Sequence, residues 1–95
     1  MTAYVVIDLN VADQDGFQQY VDGVLPLIEK AGARNVLTDA DALVLEGDWK
    51  PRTLVIHEFA DRAAVQAFWD SPEYQPLKEL RRRYSTVKVV VGETA

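Results

Sequence analysis

Ninety-five residues without a cysteine, 48% of them hydrophobic and with a net charge of −5, describe one small folded domain, residues 1–95, rather than a disordered segment. The acidic balance argues against electrostatically driven binding to nucleic acid or to anionic membrane, and the missing cysteines remove disulfides, a thiolate nucleophile and any cysteine metal site. No run approaches the ~18 apolar residues of a membrane span, and the opening "MTAYVVIDLN" lacks the basic start and long apolar core of an export signal, so the cytoplasm is the expected location.

The first predicted element is "AYVVIDL" (Ala3 to Leu9), rich in β-branched residues and apolar on both alternation sets, as a buried central strand requires. Asp13 or Asp15 then caps a helix in which Phe17, Tyr20, Val21, Val24, Leu27, Ile28 and Ala31 recur every three or four residues. Gly32 stands where a left-handed cap ends it. Pro26 falls inside that pattern. Its missing hydrogen bond and its clash with the carbonyl four residues back cost ~3 kcal/mol in an ideal helix, so a kink or break is expected near Asp22 or Gly23.

"RNVL" (Arg34 to Leu37) and "ALVLEG" (Ala42 to Gly47) read as short strands around "TDAD", either a tight hairpin or one strand with an irregular middle. "RTLVIHEF" (Arg52 to Phe59) is the clearest strand after the first. Asp61 caps a short helix carrying Ala64, Val65, Phe68 and Trp69, which Ser71-Pro72 ends. In "SPEYQPLKELRRRY" Ser71 is a further cap, Pro76 restarts the geometry, and Leu77, Leu80 and Tyr84 share one helical face. Glu79 is spaced to pair with Arg83. "TVKVVVG" (Thr86 to Gly92) closes the chain as a strand.

The order β-α-β-β-α-β predicts an α+β, ferredoxin-like subunit: an antiparallel four-stranded sheet with the helices on one face. In a monomer the other face is polar because it meets water. Here Val5, Ile7 and Leu9 oppose Tyr4 and Val6, while Val55 and Phe59 oppose Leu54 and Ile56, so both faces call for cover. The simplest cover for the helix-free face is the same face of a second copy, which gives a two-fold homodimer. Charge is also uneven: residues 1–48 carry nine acids and two bases, and residues 49–95 six acids and eight bases. Such halves attract within or between subunits.

The run "LEGDWKPRTLVIHEF" and the later "AAVQAFWDSPEYQPLKELR" resemble the domain of unknown function 1330 family, within the dimeric α/β-barrel superfamily. Glu46, Gly47, Trp49, Pro51, Arg52, Glu58, Phe59, Ala64, Trp69, Ser71, Pro72, Tyr74 and Arg81 carry the match. The spacing from Trp-x-Pro-Arg to Ser-Pro-x-Tyr is its specific part. The resemblance spans essentially the whole chain and implies a ferredoxin-like subunit that pairs sheet to sheet. It implies no activity. Superfamily relatives include cofactor-independent monooxygenases, lactone isomerases and haem enzymes, an analogy of fold alone.

Each candidate site residue has a functional and a plainer reading. Trp49 and Arg52 suit stacking on and pairing with an anionic ligand; the plainer and favoured reading is an indole sealing one end of the sheet and an arginine paired with Glu46 or Asp48. His57, the sole histidine, is a candidate general base in a pocket, against a core or interface imidazole. Strand alternation sends Glu58 to the opposite face, so it cannot orient His57. Tyr74 and Arg81, two helical turns apart, together with Ser71 offer hydroxyl and guanidinium donors to a carboxylate or phenolate. The plainer reading makes them a packing tyrosine, a bridging arginine and a capping serine. Trp69 either lines such a site or packs. Arg81-Arg82-Arg83 point in three directions and read as a solvated helix face rather than a nucleic-acid site. One histidine and no cysteine leave no metal site, and no cofactor is expected. The expected function is therefore the binding of a small anionic or aromatic metabolite between sheet and helices, with a cofactor-free proton-transfer enzyme (His57 or Tyr74 as acid/base) and a purely structural domain as alternatives.

Overall fold

The computed structural model describes residues Met1–Ala95, in the order β1 (Ala3–Val11), α1 (Gln14–Lys30), β2 (Arg34–Asp39), β3 (Thr53–Phe59), α2 (Arg62–Trp69), α3 (Tyr74–Tyr84) and β4 (Ser85–Glu93). The strands form one antiparallel sheet in the order β2-β3-β1-β4. This is the ferredoxin-like α+β subunit expected from the pattern, with the second crossover divided into α2 and α3. No helix is long and apolar enough to cross a membrane.

Register decides what each face carries. Ala3, Val5, Ile7 and Leu9 of β1 stand beside Phe59, His57, Val55 and Thr53 of β3 and beside Glu93, Val91, Val89 and Val87 of β4. These residues face the helices. On the other face Leu37, Ile56, Val6 and Val90 are successive cross-strand partners and form an apolar row over all four strands. Charged residues flank that row. Arg34 pairs with Glu58, which also accepts from the Tyr4 hydroxyl at 3.4 Å; on the other side stand Asp8, Lys88 and Asp39.

The local stops and starts follow from single residues. Asp13 Oδ1 accepts from the Gly16 amide at 3.1 Å and Asp61 Oδ1 from the Ala64 amide at 2.7 Å, capping α1 and α2. Gly32, at φ +73°, ends α1 in a Schellman motif: the Ala33 amide reaches the Ile28 carbonyl and the Gly32 amide that of Glu29. The expected break at Asp22 or Gly23 is absent, because α1 runs unbroken through Pro26. Asp22, whose carbonyl loses its donor, is solvent-exposed, so water can take the vacated place. Nor does Pro76 restart a helix. It is the third residue of α3, where the amide it lacks would have had no intrahelical acceptor. Two glycines let α1 and α3 close on each other: a Cβ at Gly16 would meet the Tyr84 ring at 2.4 Å, and one at Gly23 would meet Leu77 at 2.5 Å.

The second expected strand from "ALVLEG" does not form. The β2–β3 ladder ends at Asp39 opposite Leu54 and β3 begins at Thr53, so residues 42–47 have no strand left to pair with. They belong instead to the long connection 40–52, where Leu43 and Leu45 are 83% and 88% exposed. Glu79 and Arg83 do not pair either; the ion pairs are Arg34–Glu58 and Lys50–Asp41.

The buried core is small. Ala3, Val5, Phe59 and Val65 form it, with Ala31, Ala33, Ala64 and Phe68 against them. The chain exposes 6372 Å², against about 5,500 Å² for a compact monomer of its mass. The excess is comparable to the ~800 Å² each partner gives up in a standard interface.

Candidate functional site

Helix α1 packs on α3 rather than down on the sheet, because the contacts at Gly16 and Gly23 draw it there. Its apolar side chains Phe17, Tyr20, Val21, Val24 and Ile28 therefore face Val5, Ile7, Leu9, Val55, Val87 and Val89 across a gap. That gap is a cavity of about 450 Å³ lined by 21 residues, 17 of them hydrophobic. A sealed void of this size would forfeit on the order of 10 kcal/mol, as much as the whole stability of a small domain. The space is therefore one kept for solvent or a ligand.

Four lining residues are polar: Asn35, Thr38, His57 and Arg81. They lie at two ends. His57 on β3 stands beside Asn35 and Thr38 of the edge strand β2. Burial pulls its pKa below the ordinary 6.5, so the ring is neutral at neutral pH and carries one donor and one acceptor. Glu58 points to the opposite face and is occupied by Arg34.

The other end is built on α3. Arg81 is only 5% and Lys78 only 8% exposed, and neither belongs to an ion pair. Lys78 Nζ sits 4.6 Å from the centre of the Trp69 ring, and Arg81 Cζ 5.8 Å. The Tyr20 and Tyr74 hydroxyls are 3.0 Å apart. Burial first, then the neighbouring Tyr74, drives the Tyr20 pKa far above its ordinary value, against the opposing pull of Arg81. Tyr20 therefore stays protonated, and because one hydroxyl of the Tyr20–Tyr74 pair donates to the other, the pair keeps one O–H for a further partner.

The depressed His57 pKa has a testable consequence. The folded state holds the proton less tightly than the unfolded chain, so the contribution is full above the unfolded pKa and is lost as pH falls through the folded one. Thermal melts between about pH 7 and pH 5 should show a smaller loss of Tm for His57→Gln than for the parent. Equal losses would place the imidazole in solvent.

A family model described as a domain of unknown function, DUF1330, matches residues 2–95. The chain belongs to the DUF1330 family. No curated protein matches the sequence at a significant level. Among solved structures, the chain resembles RPA0582, a protein of unknown function from Rhodopseudomonas palustris, with a TM-score of 0.79 and 15% identity over 99% of this chain and 82% of that one. It resembles SnoaB, a cofactor-independent oxygenase from Streptomyces nogalater, with a TM-score of 0.66 and 16% identity over 99% and 93%. A dimeric ferredoxin-like protein of unknown function from Jannaschia sp. CCS1 gives 0.65 and 15% over 99% and 100%. At such identities the likeness establishes the fold.

Of the residues singled out in this DUF1330 chain, the structure brings His57, Trp69, Tyr74 and Arg81 onto one cavity wall. Ser71 does not line it: its Oγ donates to the Phe68 carbonyl at 2.9 Å and accepts from the Tyr74 amide at 3.3 Å, joining α2 to α3. Trp49 and Arg52 are exposed and lie on the helix-free side, where the indole Nε1 donates to Asp8 Oδ2 at 2.9 Å and the Arg52 amide to Asp8 Oδ1 at 3.1 Å. Arg52 is thus tied through its backbone to Asp8 and not through its side chain to Glu46 or Asp48. A solvated face describes Arg82 and Arg83, which are exposed, and not Arg81. Tyr20, Lys78, Asn35 and Thr38 were not singled out. Tyr20 has the spacing of an ordinary core position, and Lys78 could have been found from its place four residues after Tyr74.

Proposed function

We propose that this protein is a cytoplasmic homodimer that binds a small anionic or aromatic metabolite between the sheet and the helices. The observation that carries this reading is the apolar cavity with a buried, unpaired arginine in its wall. The Arg81 guanidinium has no carboxylate partner and its nitrogens open onto the cavity rather than being sealed away, so a bound anionic group finds an uncommitted cation there. Trp69 and Tyr74 supply the faces on which an aromatic body stacks. Calorimetric titration with 2-naphthol, a rigid apolar probe, should give a dissociation constant below about 1 mM, abolished when Val55→Trp fills the cavity. Absence of heat for the unmodified protein up to the probe's solubility limit would sink the reading.

A second reading, a cofactor-free proton-transfer enzyme, is favoured by one observation: a neutral imidazole stands on the cavity wall, able to take a proton from a bound O–H or acidic C–H. SnoaB's oxygenase activity lends it an analogy of fold. The homodimer rests on the apolar row Leu37–Ile56–Val6–Val90 with its charged margins, the core-and-rim pattern of a protein interface, and on the excess accessible surface. The dimeric ferredoxin-like protein of Jannaschia agrees with it.

A further inference from the structure

The two polar ends of the cavity differ in what they ask of a ligand. At the α3 end donors predominate: the Arg81 guanidinium, the one O–H that the Tyr20–Tyr74 pair does not use internally, and Lys78 behind Trp69. A second, open depression continues outward from there. It shares Trp69, Arg81, Val87 and Val89 with the cavity and adds Arg82, Ser85 and Thr86. No carboxylate stands among either set of lining residues.

The β2–β3 end offers acceptors and carries no cation. The Asn35 amide nitrogen already donates to the Leu37 carbonyl at 3.4 Å and to Thr38 Oγ1 at 3.0 Å, which leaves its carbonyl oxygen free. Neutral His57 has an unprotonated ring nitrogen beside it. Strands β3 and β4 are separated by β1, so the two ends lie roughly 10 Å or more apart across the sheet. Everything between them is aliphatic or aromatic.

We infer that the ligand is an elongated aromatic acid with a hydroxyl at its far end: the carboxylate seats against Arg81 and the Tyr20–Tyr74 pair, the ring system spans the apolar middle, and the hydroxyl donates to one of the acceptors that His57 and Asn35 present. This deepens, and rests on, the reading of the cavity as a metabolite site. A planar guanidinium receives a carboxylate through two parallel hydrogen bonds, and charge-assisted bonds of this kind each outweigh a neutral one. At the far end a ligand hydroxyl gives one of these acceptors a partner that a bare hydrocarbon would not.

The test compares four probes by calorimetry: 2-naphthol, 2-naphthoate, 6-hydroxy-2-naphthoate and naphthalene-2,6-dicarboxylate. The hydroxy acid is expected to bind about tenfold or more tightly than either singly substituted compound, and the dicarboxylate more weakly than 2-naphthoate, because its second charge is desolvated at an end that offers no cation. Arg81→Gln should shrink the hydroxy acid's advantage over 2-naphthol to less than about threefold, and His57→Phe should do the same to its advantage over 2-naphthoate. Similar affinities for all four probes would overturn the inference and leave the cavity reading standing. No binding of any probe would overturn both. Where Arg81→Gln does not fold, the probe series on the unmodified protein decides alone.

Discussion

Arg81→Met is expected to make the ligand-free protein more stable, by about 1–3 kcal/mol, while removing its preference for acids. The argument turns on what holds the guanidinium. It is 5% exposed, has no carboxylate within ion-pair distance, and keeps only the Trp69 face at 5.8 Å and the Tyr20 hydroxyl. A cation over an aromatic face contributes about 0.5–2 kcal/mol, less than the few kcal/mol that an unpaired, mostly desolvated charge costs even with its nitrogens reaching the solvent of the cavity. Methionine keeps the length and the apolar stem and drops the charge. For a chain of this size the gain corresponds to a rise in Tm of roughly 5–15 °C. A loss of stability would show that the guanidinium is an ordinary packing element, and the anionic part of the proposed ligand would go with it.

Val90→Asp is expected to give a folded monomer. Val90 is 65% exposed in the single chain, so a carboxylate there costs the subunit little. In a sheet-to-sheet dimer the two-fold axis brings the charge in twice, and each desolvated carboxylate without a partner is unfavourable by a few kcal/mol. The dimer dissociation constant should rise roughly a hundredfold or more. Val6→Asp and Leu54→Asp, nearer the middle of the sheet, should impair folding as well as assembly. Light scattering at micromolar concentration reads the outcome. A single-chain mass for the unmodified protein, or an unaltered dimer for Val90→Asp, would remove the helix-free face as the interface.

How much of this was legible before the structure varies with the range of the interaction. Strand β1 and the α1 periodicity were plain, because two-residue and 3.6-residue patterns are local and each has one dominant reading. Asp61 and Gly32 were found for the same reason: a cap is written within four residues. "ALVLEG" misled because β-branched and aliphatic residues signal a strand only if another strand lies alongside, and partner availability is a property of the whole sheet. Pro26 misled in the opposite direction, since the cost of proline depends on whether water reaches the freed carbonyl. The cavity itself was not legible. It exists because Gly16 and Gly23 let α1 lean on α3, and a glycine in a helix does not announce what approaches it. Arg81 illustrates the limit best. Three consecutive arginines look alike in sequence, and only the packing of α3 against Trp69 and α1 separates the buried one from its two exposed neighbours.

The pairing of β1 with β4 also governs when the chain can fold. β1 is the first of these strands made and β4 the last, and Ala3 lies opposite Glu93, so an inner strand of the finished sheet keeps one open edge until residues 85–93 have been synthesised. Contacts of such long sequence separation form slowly because the intervening loop must close first. During that interval the apolar sides of β1 and β3 are both uncovered, which is when an unpaired edge is most prone to aggregate. Closure of the sheet by β4 is therefore expected to be the last step in assembling the subunit, and any pairing through the helix-free face follows it.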